Sequence, residues 1–202
     1  MAHGLRIADG VGKVLMTCVA LVVGMASSIA PTFANDDAAL WDRLRRGEVF
    51  VMMRHALAPG TGDPANFDVN DCSTQRNLSE RGRGQAREIG DLFRANGIGS
   101  AQVVSSAWCR CQDTASELKL GPVETLDALN SFFENRDQAG PQTAALEAWL
   151  TARRANPTET APLVLVTHQV NISGLVGSFT RSGEMVFIEQ RADGGFAAVG
   201  SI

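Results

Sequence analysis

The sequence predicts an α/β fold, a three-layer α/β/α sandwich around a mostly parallel central sheet. Three observations carry this. Short apolar runs alternate with amphipathic stretches along the chain, the order of strand and helix in α/β domains. Two of the runs, Val49-Phe50-Val51-Met52-Met53 and Leu163-Val164-Leu165-Val166, are apolar throughout, as strands covered on both faces must be. Each run leads straight into a histidine: His55 follows Arg54, and His168 follows Thr167. In open α/β sheets ligands bind beyond the carboxyl ends of the strands, so one fold rule brings both imidazoles to a single crevice.

The elements follow in order. Leu40, Trp41 and Leu44 recur at helical spacing, so residues 36–46 are expected to form a short helix. Residues 48–53 form the first strand. The stretch from Ala56 to Asn77, rich in Gly, Pro, Asn and Asp, reads as one long loop, and loops of this length in compact domains tend to be functional. Ser79 caps the next helix, which carries Leu78, Ala86, Ile89, Leu92 and Phe93 on one face and stops at Asn96-Gly97. A strand over 102–105 is followed by a helix, capped by Ser106, with Trp108, Cys111, Ala115 and Leu118 inward. A short strand over 123–126 leads to a loop bearing Phe132, Phe133 and Glu134. Pro141 opens a helix with Leu146, Trp149 and Leu150 inward, and Pro157 lies past its end. Residues 162–167 form the strand that delivers His168, and 171–178 a short helix. Residues 185–189 and 196–199 pair as a hairpin across Asp193-Gly194-Gly195.

Of the 202 residues 45% are hydrophobic and 20% charged, ordinary for a globular chain. Net charge is −4 with no basic run, which argues against a nucleic-acid partner. The first 34 residues differ from the rest. Arg6 and Lys13 precede an apolar stretch from Val14 to Ala30, and Thr32-Phe33-Ala34 offers small residues for cleavage. This is the plan of a secretory signal peptide, giving a single mature domain over 35–202, periplasmic or secreted, with no stable membrane anchor after cleavage. A retained anchor is the alternative; Gly24, Ser27 and Ser28 weaken the stretch as a span. Three cysteines lie beyond the leader: Cys72, Cys109 and Cys111. In an oxidising compartment a bridge from Cys72 to Cys109 or Cys111 is expected, in preference to a metal site.

Four segments carry chemistry. They are Arg54-His55-Ala56; Leu78-Ser79 with Gly82, Gln85 and Ala86; Ser105-Ser106 with Arg110 and Thr114; and Val166-Thr167-His168. In this order they resemble the signature segments of the histidine phosphatase superfamily, the group that includes the phosphoglycerate mutases. The wording around Arg76-Asn77-Leu78-Ser79 is most similar to the small bacterial phosphohistidine phosphatases. The resemblance implies a metal-independent, cofactor-free phosphatase in which His55 attacks phosphorus to give a phosphohistidine. Arg54, Arg110 and His168 would surround the transferred group. The residue chemistry agrees: a neutral imidazole attacks without prior deprotonation, and guanidinium forks match phosphoryl oxygens. Helix starts near Arg110 and after His168 could add backbone donors.

Two positions depart from the family pattern. Ala56 replaces a glycine, which is tolerable where φ is negative. Ser131 stands where the family places the acid that protonates the leaving oxygen; Glu134 is the candidate replacement, with Asp127 a second carboxylate nearby. Arg76, Asn77 and Gln169 are expected substrate contacts, with Gln75 and Asn171 further polar candidates. The substrate class reads as a phosphorylated small molecule or envelope component. The rival reading is a non-catalytic phospho-ligand-binding or envelope-interaction protein that keeps the pocket without an acid.

Overall fold

The structure is a computed structural model that describes residues 1–4, 33–156 and 161–202, with residues 33–36 described as backbone only. Residues 5–32 of the predicted leader, with Arg6, Lys13 and Cys18, and Pro157 lie outside the described residues.

Helix α1 spans Phe33–Arg45, and strand β1 spans Phe50–Arg54. The long loop then leads, through a short 3-10 turn at Cys72–Thr74, to α2 over Glu80–Ala95. Strand β2, Gln102–Ser105, precedes α3, Cys109–Glu117, and β3, Val123–Thr125. Two further 3-10 turns lead to α4, Ala139–Ala155, then β4, Leu163–Thr167, and α5, Gln169–Val176. Strands β5, Met185–Gln190, and β6, Phe196–Ser201, end the chain as the expected hairpin.

The sheet order is β3-β2-β4-β1-β5-β6. The first four strands run parallel, and β5 and β6 are antiparallel additions at one edge. The apolar strands sort their side chains by period two. Val51, Met53, Val103, Val164 and Val166 face Trp41, Leu44, Phe93 and Ala115 from α1, α2 and α3. Met52, Val104, Leu163 and Leu165 face Leu146, Leu150, Ile172 and Leu175 from α4 and α5. Successive residues point to opposite faces of a strand, so covering both faces explains the unbroken apolar runs. This is the three-layer sandwich the sequence predicts.

Register then positions the site. Arg54 pairs with Thr167, and Ser105 with Val166, so the three parallel strands end level. The chain stays tied one residue further: His55 N–H donates to Thr167 O at 2.9 Å, and Ser106 N–H to Val166 O at 3.0 Å. His55, Ser106 and His168 therefore share one carboxyl edge of the sheet.

The loop after His55 is clamped beneath α2. Ser79 caps that helix as expected, its Oγ accepting from Gly82 N–H at 3.1 Å. A Cβ on Gly82 would lie 2.1 Å from Leu57 O, so only glycine lets the helix approach the backbone just past the histidine. The cap expected of Ser106 differs. The helix starts later, with Trp108 at the cap position, and Ser106 Oγ faces His168 Nε2 at 2.9 Å while accepting Trp108 N–H at 3.3 Å.

Candidate active site

A cavity of about 310 Å³ opens at the carboxyl edge of the sheet. Its lining includes Arg54, His55, Arg76, Arg110 and His168. His55 and His168 are buried, with ring centroids 5.6 Å apart. The two strand ends thus bring together histidines far apart in the chain.

His55 Nδ1 lies 2.8 Å from Ala56 O. A carbonyl only accepts, so Nδ1 carries the hydrogen and Nε2 keeps its lone pair. Burial pushes the His55 pKa down to about 3; the Ala56 carbonyl opposes this, and the charges of Arg110, Arg54 and Arg76 add to it. His168 is also held well below its ordinary value, first by burial and then by the neighbouring His55 and the arginines. Both imidazoles are neutral at pH 7. Ala56, in place of glycine, has no positive φ and donates its N–H to Thr114 Oγ1 at 3.0 Å, so the methyl group is accommodated.

The arginines are held along one part of each guanidinium. Arg54 Nη1 donates to Thr180 O at 2.9 Å. Arg110, whose side chain is 3% exposed, donates Nη1 to Asp63 Oδ1 at 2.7 Å and Nη2 to Asp63 Oδ2 at 3.1 Å. Arg54 Nε and Arg110 Nε are buried without a hydrogen-bond partner among the described residues. A buried N–H left unpaired is costly. The guanidinium groups that line the cavity beside the neutral imidazoles suit the oxygens of an anion.

Asp63 is a functional residue that sequence reasoning missed. Besides the Arg110 fork it accepts Trp108 Nε1–H at 3.0 Å and Arg76 N–H at 3.1 Å. Burial alone would raise its pKa, but hydrogen bonds from Arg110 and the Arg110 charge outweigh it and hold the carboxyl below its usual range. A signal for it exists only indirectly: a buried Arg110 needs an anion, and the loop offers Asp63, Asp68 and Asp71 without distinguishing them.

Other expected contacts divide. Arg76 lines the cavity, anchored by Nε to Gly62 O at 2.8 Å and by Nη1 to Ala58 O, and its charge stays in the pocket. Gln169, Ser131 and Glu134 also line the cavity. Asn77 does not: its Nδ2 donates to Cys72 O at 2.6 Å and closes the turn of the loop. Gln75 is buried and braces the loop, its Oε1 accepting Cys109 N–H at 2.9 Å. Asn171 is buried against Asn130 O at 2.9 Å, because the helix after His168 turns it away from the cavity. Asp127 accepts from Asn130 Nδ2 and is likewise outside the lining.

Cys72 and Cys109 form a disulfide with Cα atoms 5.7 Å apart, and Cys111 is a buried free thiol. The bridge ties the long loop to the first residue of α3, next to Arg110. Burial raises the Cys111 thiol to about 12, so it packs as a neutral group against His168.

With this geometry in place, comparison with known families is decisive. The model of the histidine phosphatase superfamily, branch 1, matches residues 50–162. The chain belongs to this superfamily. It is a phosphatase of the histidine phosphatase type. Among solved structures, the protein histidine phosphatase SixA complexed with tungstate superposes with a TM-score of 0.54 at 16% identity, covering 76% of this chain and 96% of that one. A mycobacterial glucosyl-3-phosphoglycerate phosphatase complexed with VO3 gives 0.53 at 16% identity, covering 70% and 92%. At these identities the likeness is one of fold. No curated protein matches the sequence.

Proposed function

We propose that the chain is an exported, metal-independent histidine phosphatase that hydrolyses phosphate esters or phosphoramidates through a phosphohistidine on His55. The carrying observation is His55 itself: a neutral imidazole with Nδ1–H fixed on a carbonyl, lining one cavity with Arg54, Arg76 and Arg110.

In the first step His55 Nε2 forms a bond to phosphorus as the bond to the leaving oxygen or nitrogen breaks. Arg54, Arg76 and Arg110 offset the charge on the phosphoryl oxygens, so positioning and electrostatics do most of the catalysis. Three guanidinium groups supply what a divalent cation otherwise would. In the second step water attacks phosphorus, the P–N bond returns its pair to Nε2, and phosphate leaves. The leaving atom takes a proton in the first step, and the attacking water gives one up in the second. Asp63 is ill suited to donate it, because Arg110 holds it ionised. Glu134 lines the same cavity, and its Oε1 lies against Gly62, so it is assigned the proton transfer. The binding-module reading rests on Ser131, which does line the cavity where the family's acid is expected. Export rests on the leader and on the Cys72–Cys109 bridge, which suits an oxidising compartment.

The test is p-nitrophenyl phosphate hydrolysis with excess EDTA, beside His55→Ala. Turnover that survives EDTA, is lost in the variant and passes through acid-labile phosphohistidine is expected. Activity retained by His55→Ala would refute the nucleophile. Vanadate binding without any turnover would favour the binding module.

A further inference from the structure

We infer that the physiological substrate is a phosphomonoester whose leaving group carries an apolar body, an aromatic ring or an alkyl chain, next to the phosphate. This rests on the phosphatase reading above and names the substrate class of that same cavity.

Among the described residues the exposed large hydrophobic side chains are Met1, Phe133 and Phe179, and both phenylalanines line this cavity. Phe179 is 77% exposed and Phe133 40%. Scattered exposed apolar residues need no explanation, but two converging on the mouth of a reactive pocket do. Two further aromatic side chains line the same cavity. Phe67 stacks on Trp108 with centroids 5.1 Å apart and planes at 23°. Trp108 meets His168 edge-to-face at 5.4 Å, and His168 meets His55 at 5.6 Å. A chain of ring contacts thus runs from His55 through His168 and Trp108 to Phe67. Trp108 is fixed in place by its Nε1–H on Asp63.

Thr61, Ser131, Asn135 and Gln169 are the uncharged polar side chains of the lining. The Gln169 amide is spent on Ser173 Oγ at 2.6 Å. The arginines of the lining are Arg54, Arg76 and Arg110, and the Arg136 guanidinium lies over the Phe133 ring, 4.9 Å from its centroid. A cavity this size holds more than a phosphoryl group, and Phe67, Trp108, Phe133 and Phe179 contribute to its lining.

The test uses non-hydrolysable probes as competitive inhibitors of p-nitrophenyl phosphate hydrolysis by the full chain: methyl-, butyl-, octyl- and benzylphosphonate, and a hydroxylated alkylphosphonate of butyl length. Phosphonates carry no scissile P–O ester, so leaving-group chemistry does not enter. Buried methylene groups should tighten inhibition by about two- to fourfold each while the chain lies along the rings. The hydroxylated probe should bind more weakly than butylphosphonate. Phe179→Ser, at an exposed position, should flatten the chain-length dependence. Equal inhibition by methyl-, butyl- and octylphosphonate, or preference for the hydroxylated probe, would overturn the inference while leaving the phosphatase reading intact. No inhibition by inorganic phosphate or methylphosphonate would overturn both.

Discussion

Replacing Asp63 by asparagine removes one charge from a carboxylate that accepts four hydrogen bonds: two from Arg110 at 2.7 and 3.1 Å, one from Trp108 at 3.0 Å and one from Arg76 N–H at 3.1 Å. Asparagine offers one acceptor oxygen and presents an NH₂ where a donor already stands. Arg110 is 3% exposed and Asp63 12%, so water cannot make good the loss. Breaking a buried ion pair by removing one partner costs about 3–5 kcal/mol; with one acceptor retained, about 2–4 kcal/mol is expected. For a domain of this size that lowers Tm by roughly 5–15 °C. Urea unfolding at pH 7 is the assay, with Asp63→Asn/Arg110→Met alongside. The double variant leaves no buried charge and should recover most of the loss. Inorganic phosphate should stabilise Asp63→Asn more than the parent, because the anion supplies the missing charge near Arg110. The pH dependence has a fixed sign. Folding favours the Asp63 carboxylate, so its stabilisation is complete above its ordinary pKa of 3.8 and lost as pH falls through the lower folded value. Asp63→Asn should lack this acid-side loss. A destabilisation below about 1 kcal/mol, or a double variant no better than the single, would refute the claim that Asp63 is the compensating charge of the pocket.

Other consequences follow from the same structure. His55 and His168 are neutral in the folded and unfolded chain above about pH 6.5; below it the unfolded chain protonates and the folded chain does not, down to about 3 for His55. Stability should therefore fall by about 1.4 kcal/mol per pH unit for each histidine as pH drops below 6.5, and His55→Ala should reduce that slope by one histidine's share in urea titrations. Cys72→Ser should lose about 4 kcal/mol, since the bridge closes a sequence separation of 37, and should raise KM by loosening the loop that carries Asp63; melting under reducing conditions checks the first. Gly82→Ala should destabilise by about 2 kcal/mol or more, because its Cβ would meet Leu57 O at 2.1 Å, and it should lower kcat by displacing the backbone after His55. Glu134→Gln should slow alkyl phosphate hydrolysis by about a hundredfold and p-nitrophenyl phosphate far less, since nitrophenolate leaves without a proton; equal slowing of both would remove Glu134 from proton transfer.

Much of this protein was legible in order along the chain. The apolar runs at Val49 and Leu163 declare covered strands, and their length places Arg54, His55 and His168 at strand ends. Segment order around Leu78, Ser105, Arg110 and Thr114 carried the family. Cys72 was expected to pair with Cys109 or Cys111, and the fold selected Cys109, leaving Cys111 buried against His168. Where local signals misled, a tertiary partner had won. Ser106 gives up its expected capping place to face His168, and Asn77 and Asn171 turn to backbone carbonyls in place of the cavity.

The sequence by itself determined the layers and the two imidazoles, because strand periodicity and strand ends are local properties that a sheet converts directly into position. Only the tertiary structure decided that Asp63 neutralises Arg110 and that Phe67, Trp108, Phe133 and Phe179 line the same cavity as the histidines. Those residues sit on loops, whose composition announces flexibility but not direction. Their direction is set by contacts remote in sequence: the Cys72–Cys109 bridge, the helix start that presents Trp108, and the buried guanidinium that requires an anion.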